Sequence, residues 1–90
     1  MRNENHQPRV LHISRRAGLS PRRGGAYKRA GCEVTMVRHL DDVLRACACH
    51  AFDVAVIDRS IPFEDERRIV TIIRSCVPEA TVLTDLRQSR

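Results

Sequence analysis

The stretch FDVAVIDRSIP, residues Phe52 to Pro62, decides the fold class of this chain. Its four consecutive apolar residues, Val54 to Ile57, are typical of a strand that is buried on both faces. The strand ends in a carboxylate, Asp58, and Pro62 follows four residues later. Because open α/β sheets bind ligands at the carboxyl ends of their strands, an acid at this point predicts a functional site there.

The length and composition of the chain predict one small globular domain. A chain of 90 residues buries roughly 60 to 65% of its unfolded surface, which is enough for one modest core. The apolar fraction of 42% favours a folded domain over a disordered chain. The N-terminal stretch has no apolar signal segment, and no apolar run approaches the ~18 residues that span a membrane. We therefore expect a cytoplasmic protein with no membrane partner.

The basic residues leave an alternative function open. The net charge is +5, and Lys28 is the single lysine among 16 basic residues. Four of the arginines stand close together, at Arg15, Arg16, Arg22 and Arg23. Such a cluster attracts phosphate, so the chain could be a small basic anion- or nucleic-acid-binding module that uses the Arg15–Arg23 cluster. Only 3% of the residues are aromatic, which leaves no stacking platform for bases and disfavours nucleic acid as a partner.

The segment CACH, Cys47 to His50, has the composition of a metal site but not its spacing. On a helix, residues two positions apart point about 200° from each other, so Cys47 and Cys49 cannot share an ion. The chain also lacks the C-x2-C pairs of zinc sites. We expect the cysteines to pack as small apolar residues in a reducing compartment. His12 and His39 are likewise expected to be structural.

Predicted strands and helices alternate along the whole chain. Short apolar or β-branched runs predict four strands, at Arg9–Ser14, Cys32–Val37, Val54–Ile57 and Ala80–Asp85. Amphipathic or capped segments predict three helices, at Ser20–Gly31, Leu40–His50 and Phe63–Val77. This alternation predicts a parallel sheet with right-handed crossovers, in the order β-α-β-α-β-α-β. We expect residues 9–85 to form the domain, between a disordered tail at 1–8 and a frayed tail at 86–90.

Capping signals and apolar spacing support the predicted helices. Ser20 stands at the N-cap of the first helix, Pro21 at its first position and Gly31 just after its end. The second helix has an apolar face, predicted at Leu40, Val43, Leu44 and Cys47. The apolar face of the third helix is predicted at Ile69, Ile72, Ile73 and Cys76. Acidic residues fill the first turn of the third helix, where the helix dipole favours them.

The order of elements, with Asp58 ending strand three and Ile61-Pro62 shortly after it, resembles the receiver domain of two-component response regulators. The resemblance spans about Arg9 to Asp85 and implies membership of the CheY-like superfamily of bacterial-type phosphorelay signalling. It implies a flavodoxin-like sheet with the ligand crevice between strands one and three. It also implies that the chain lacks the last helix-strand-helix of a full receiver.

The resemblance assigns roles to particular residues. Asp58 is the implied phosphoacceptor, and Thr84 is the implied hydroxyl that senses the phosphoryl group. The family holds Mg2+ with an acidic pair after strand one, but Ser14 and Arg15 occupy those positions here. Such a site is expected to hold Mg2+ weakly at best. We expect Arg15 to pair with Asp58 instead, which would keep the carboxylate ionised without a metal.

The implied function is that of an atypical receiver-like module, a pseudo-receiver with Asp58 as a handicapped phosphoacceptor. It would act by protein-protein interaction with a histidine kinase or another signalling protein, and it would not be an enzyme. A flavodoxin-like enzyme is disfavoured because the segment SRRAGLSPRRGG does not form a convincing cofactor-binding loop.

The implied absence of a fifth strand predicts a contact surface. Strand four becomes a sheet edge with unpaired backbone groups. One face of strand three, either Val54 and Val56 or Ala55 and Ile57, also loses its cover. Exposed apolar surface of this kind predicts a homodimer or dependence on another chain.

Overall fold

Strands and helices alternate through the part of the chain that the computed structural model describes, residues 7–84. The strands are β1 at Arg9–Ile13, β2 at Glu33–Val37, β3 at Val54–Ile57 and β4 at Thr81–Thr84. The helices are α1 at Pro21–Ala30, α2 at Leu40–Ala48 and α3 at Phe63–Cys76. The predicted type and order of the elements are confirmed. Residues 1–6 and 85–90, with most of both predicted tails and Asp85, lie outside the described residues.

The four strands form one parallel sheet in the order β2-β1-β3-β4. This is the flavodoxin-like order that the sequence predicts. The first strand begins at Arg9, as predicted, and the carbonyl of the preceding Pro8 accepts a hydrogen bond from the Glu33 N–H at 2.8 Å.

The main core lies on the face of the sheet that α2 and α3 cover. Ile13 of β1 and Ile57 of β3 are each 1% exposed, and both pack in this core. The helices contribute residues four positions apart to it, namely Val43 and Cys47 of α2 and Ile69 and Ile73 of α3. Since these pairs lie one helical turn apart, each helix meets the sheet along one narrow stripe.

Helix α1 lies on the opposite face of the sheet and buries no residue fully. It begins as the sequence predicts, because the Ser20 hydroxyl accepts a hydrogen bond from the Arg23 N–H at 3.2 Å. Gly31 ends it in the left-handed conformation, with φ at 70°. Its link to the sheet is Tyr27, whose hydroxyl lies 3.0 Å from Nδ1 of the buried His12. The rings of these two residues pack edge to face.

The predicted apolar faces of α2 and α3 are too wide. Leu40 and Leu44 are 39% and 43% exposed, and Cys76 is also exposed. They lie beside the narrow buried stripes, and no element within residues 7–84 covers them fully. Cys47 is 2% exposed whereas Cys49 is exposed, so the two thiols diverge as predicted. Burial raises the pKa of the Cys47 thiol, with a smaller contribution from nearby Cys76.

The predicted loss of cover over strand three is wrong for Val56. This residue is 5% exposed, Ala55 and Ile57 are fully covered, and only Val54 is half-buried. The exposed apolar side chain lies instead on the neighbouring strand β4, where Leu83 is 53% exposed. Leu83 is paired with Val56 and so lies on the same face as α1.

An ion pair stabilises the amino-terminal end of the sheet. Arg9 Nη2 lies 3.1 Å from Asp53 Oδ1, and the Arg9 backbone N–H donates to Asp53 Oδ2 at 3.0 Å. The pair raises the pKa of the Arg9 guanidinium, chiefly through the hydrogen bond from its side chain. The carbonyl of Asp53 accepts from the Thr81 N–H, which brings the start of β4 to the same place. No helix within residues 7–84 is long and apolar enough to cross a membrane.

Replacing Ile73 by Ala tests the core stripe of α3. Ile73 is 0% exposed, so the change should lower the free energy of unfolding by about 2–5 kcal/mol, through lost burial and a residual cavity. Urea denaturation followed by far-UV circular dichroism measures the loss. The adjacent and only partly buried Ile72 provides the matched control. An equal loss in Ile72→Ala would contradict the assignment of the stripe.

Candidate functional site

Two polar residues stand where the central strands leave the core. Ser14 directly follows β1, and Asp58 directly follows β3. Because β1 and β3 are parallel neighbours, their carboxyl ends bring the two side chains together. Ser14 is 2% exposed, and the Asp58 side chain is 14% exposed. The site therefore combines a nearly buried hydroxyl with a carboxylate at the mouth of a crevice.

The crevice lies on the α1 side of these strand ends and has a volume of about 370 Å³. Polar and cationic side chains dominate its lining, which comprises His12, Ser14, Arg16, Gly18, Ser20, Arg23, Asp58 and Arg59. Three arginines face one carboxylate, so the lining carries an excess of positive charge. Such surroundings favour an anion over a metal ion.

Hydrogen bonds fix the Asp58 carboxylate in place. Its Oδ2 accepts from the Ser14 hydroxyl at 3.2 Å and from the Ser60 backbone N–H at 2.9 Å. The bond to the residue two positions ahead is an Asx turn, in which an Asp side chain replaces a backbone acceptor. The Asp58 carbonyl also accepts from the Ile61 N–H at 3.0 Å. Asp58 thus shapes the turn that leads from β3 into α3.

The hydroxyls of Ser14 and Ser60 join the two loops of the site. Their oxygens lie 3.2 Å apart. Ser60 Oγ accepts from the Arg15 backbone N–H at 3.0 Å, and Ser14 Oγ accepts from the Arg16 N–H at the same distance. The loop after β1 and the turn after β3 are therefore held as one unit. Removing either hydroxyl is expected to alter the position of the Asp58 carboxylate.

Arg16, and not Arg15, lies next to the Asp58 carboxylate. Arg16 Nε lies 3.7 Å from Asp58 Oδ2. Arg15 points toward α3, where its Nη2 lies 2.7 Å from Asp65 Oδ2. The predicted pairing of Arg15 with Asp58 is therefore wrong. The Arg15 backbone N–H donates a hydrogen bond to Ser60 Oγ. Beyond β1, the side chains of Arg15 and Arg16 point to different sides of the sheet.

Thr84 lies at the same edge of the sheet as Asp58. It is the last residue of β4 and is paired with Ile57, the residue directly before Asp58. Its side chain is exposed. Its role as the hydroxyl that senses a phosphoryl group stays a prediction.

The side chains around Asp58 do not fit Mg2+. This ion requires oxygen ligands in near-octahedral arrangement and is usually bound through one or two carboxylates. Among the described residues, Asp58 is the single carboxylate in the crevice lining, and Ser14, which stands where the resemblance implies an acid, donates a hydrogen bond to Asp58. Arg16 beside the carboxylate would repel a cation. Within residues 7–84, no group of three His, Cys, Asp or Glu side chains could hold a metal ion.

Sequence reasoning missed part of this site. The roles of the Ser60 side chain and of Arg59 are visible only in the fold, as is the convergence of Arg16 and Arg23 from the predicted basic cluster on this crevice. The Asp58-Arg59-Ser60 segment does carry a signal, because an Asp side chain in a turn commonly accepts a hydrogen bond from the backbone N–H two residues on. Nothing in the sequence distinguishes the directions of Arg15 and Arg16.

The fold of this chain is that of a response-regulator receiver domain. The structure matches that of the receiver domain of NtrC4 from Aquifex aeolicus with a TM-score of 0.77. The match covers 93% of this chain and 69% of that chain, at 17% sequence identity. No profile of a known protein family and no curated protein matches the sequence. At this identity the similarity establishes the fold, and the function has to be argued from the site.

Replacing Ser14 by Ala tests the network around Asp58. The change removes a donor to Asp58 and the acceptor of the Arg16 N–H, so it should lower the free energy of unfolding by about 1–3 kcal/mol. Urea denaturation measures this loss. Ser75→Ala, at an exposed position on α3, is the control and should change stability by less than about 0.5 kcal/mol. If both variants are as stable as the original chain, the hydroxyl contributes nothing to holding the site.

Proposed function

We propose that this chain is an atypical receiver-like module of two-component phosphorelay signalling in the cytoplasm. It acts by protein-protein contact with a histidine kinase or another signalling protein, and Asp58 is its handicapped phosphoacceptor. The observation that supports this most directly is the place of Asp58, at the crevice between β1 and β3 in a receiver fold. The chain is not an enzyme, because the only chemical step in this proposal occurs on its own carboxylate.

The handicap follows from the surroundings of the carboxylate. In phosphoryl transfer a carboxylate oxygen forms a bond to phosphorus while the bond to the leaving group breaks, and the charge on the transferring group must be neutralised. Asp58 Oδ2 already accepts from Ser14 and Ser60 and faces Arg16. These interactions stabilise the carboxylate in its ground state and weaken it as a nucleophile. The crevice arginines can neutralise phosphoryl charge, but they do not replace the geometry that a bound Mg2+ imposes.

The first test is phosphorylation by acetyl phosphate in the presence of Mg2+, read by intact-mass analysis. The original chain should gain a phosphoryl group slowly and on a small fraction of molecules. The double variant Ser14→Asp/Arg15→Asp restores the acidic pair of the family. We expect it to be phosphorylated at least about tenfold faster, because a positioned metal ion contributes several kcal/mol of charge stabilisation.

Two controls make this test decisive. Asp58→Asn should abolish the mass increase in both backgrounds. Ser75→Asp/Arg74→Asp makes the same two changes at exposed positions of α3 and should leave the rate unchanged. Fast Mg2+-dependent phosphorylation of the original chain would show an ordinary receiver site and contradict the handicap. A folded double variant that is never phosphorylated would show that Asp58 is not a phosphoacceptor.

The basic cluster does not form one continuous surface, which weighs against the nucleic-acid alternative. Arg16 and Arg23 line the crevice beside Asp58. Arg15 is directed to Asp65 on the other side of the sheet. A nucleic-acid backbone needs a row of cations along one surface. We therefore assign these arginines to local sites.

We place the protein contact at β4. Within residues 7–84 this strand is an edge of the sheet, its residues Thr81 and Thr84 are exposed, and Leu83 presents an apolar side chain. An edge strand offers unpaired backbone groups to another strand, and an exposed leucine adds apolar area to such a contact. A second copy of this chain supplies the same edge, so we propose a homodimer across β4.

Sedimentation velocity over a range of concentrations tests the homodimer. The original chain should show concentration-dependent dimerisation, and Leu83→Lys should shift it toward monomer by at least about tenfold in Kd, because a buried leucine side chain is worth about 1.5–3 kcal/mol. Leu44→Lys provides the control, since Leu44 is similarly exposed but lies on α2 across the sheet. A chain that is monomeric at every concentration would rule out the homodimer.

A further inference from the structure

A second cleft opens at the same end of the sheet, on the side of α2 and α3. Its volume is about 380 Å³. Its walls come from the end of β1, the junction of β2 and α2, the turn after β3 and the first half of α3. It shares no lining residue with the Asp58 crevice. The two are therefore separate sites on opposite faces of the sheet.

The rim of this cleft carries unbalanced positive charge. Arg15, Arg38 and Arg68 line it, against the single carboxylate of Asp65. Arg15 is paired with Asp65 at 2.7 Å, and Arg38 donates one hydrogen bond to the Arg15 carbonyl at 3.3 Å. Arg68 makes no ion pair within residues 7–84. Because each guanidinium has five N–H donors in a planar fork, the rim keeps donors for an anion.

The base of the cleft is apolar. Ile61 and Ile69 are 2% and 4% exposed, and Ile13, which also lines the cleft, is 1% exposed. Leu40 stands beside them and is 39% exposed, so it offers apolar surface inside the cleft. A ligand that reaches past the arginines would therefore place its far end against aliphatic side chains.

We propose that this cleft binds a small amphipathic carboxylate, a molecule with one carboxylate and a short aliphatic chain. The carboxylate meets Arg38 and Arg68, since a guanidinium fork matches the two oxygens of a carboxylate. The aliphatic chain lies against Leu40 and Ile61. The volume falls within the range of about 300–1,000 Å³ of small-molecule sites, and the lining combines aliphatic side chains with charged ones. This site does not depend on phosphorylation of Asp58.

Arg15 connects the new site to the Asp58 site. The Arg15 side chain lines the cleft, and its backbone N–H donates a hydrogen bond to Ser60 Oγ. The backbone N–H of Ser60 in turn donates to Asp58 Oδ2. The Ser60 amide is therefore a useful reporter in a binding experiment. The site itself is defined by the cleft residues alone.

Titration with acetate, butanoate and hexanoate, followed by ¹H–¹⁵N NMR, tests the site. Hexanoate should give saturable shifts in the amides around Arg38, Ile61 and Arg68, with a Kd on the order of 1–10 mM for so small a ligand. Butanoate should bind up to about tenfold more weakly, because each buried methylene contributes to transfer from water. Acetate should bind most weakly of the three.

Matched arginine variants locate the contact. Arg38→Gln and Arg68→Gln should each weaken hexanoate binding by about threefold to fivefold, the range of an exposed ion pair. Arg74→Gln makes the same change on α3, outside the cleft, and should have no effect. The amide spectrum of each variant shows whether it is folded, and all three positions are exposed.

Several results would overturn this assignment. Equal binding of acetate and hexanoate would mean an unspecific anion effect, and equal binding of hexanol would mean that the arginines play no part. Equal weakening by Arg74→Gln would mean a general charge effect. Tighter binding of N-acetyl-Leu-Glu than of hexanoate would indicate an acidic segment of a partner protein instead. An absence of saturable shifts up to about 50 mM hexanoate, several times the expected Kd, would leave the cleft without this function.

Discussion

The parallel pairing of β1 with β3 is the constraint on which the rest of this molecule depends. Its register sets Ile13 beside Ile57 in the core, and so it sets Ser14 beside Asp58 one residue later. In the same pairing, the Asp58 backbone N–H donates a hydrogen bond to the Ile13 carbonyl oxygen at 2.8 Å. A shift of one residue would turn the isoleucines out of the core and separate the serine from the carboxylate. Stability of the core and geometry of the site are thus two results of one register.

The crevice shows that a receiver fold can form around a site whose residues differ from those that the resemblance implies. In a receiver, acids after strand one would hold a cation beside the phosphoacceptor, as the resemblance implies. Here a nearly buried hydroxyl donates to Asp58 and a guanidinium stands 3.7 Å away. The carboxylate is therefore satisfied by the protein itself. The cost is chemical, because a group held in this way reacts less readily, and this is the basis of the proposed pseudo-receiver role.

Arg15 and Arg16 show why neighbouring residues can serve different sites. Arg16 lines the Asp58 crevice on the α1 side, and Arg15 lines the second cleft on the α2–α3 side. The Arg15 backbone N–H donates a hydrogen bond to Ser60 Oγ, and the Arg16 backbone N–H donates one to Ser14 Oγ. The two clefts share no lining residue, but neighbouring residues of the loop at the end of β1 line each of them. This loop therefore lies between the proposed ligand site and the Asp58 carboxylate.

The sequence by itself determined the elements, their order, the parallel sheet and the place of Asp58, because these follow from local patterns of apolar residues, caps and turns. It also predicted correctly that Cys47 and Cys49 diverge, which depends only on helical geometry. The pairing of Arg15 with Asp65, the approach of Arg16 to Asp58 and the cover of Val56 were decided by the tertiary structure. The exposure of Leu40, Leu44 and Cys76 was decided there as well. Long side chains choose among partners that are close only after folding, and the burial of a helix face depends on what packs against it, so neither can be read from the chain alone.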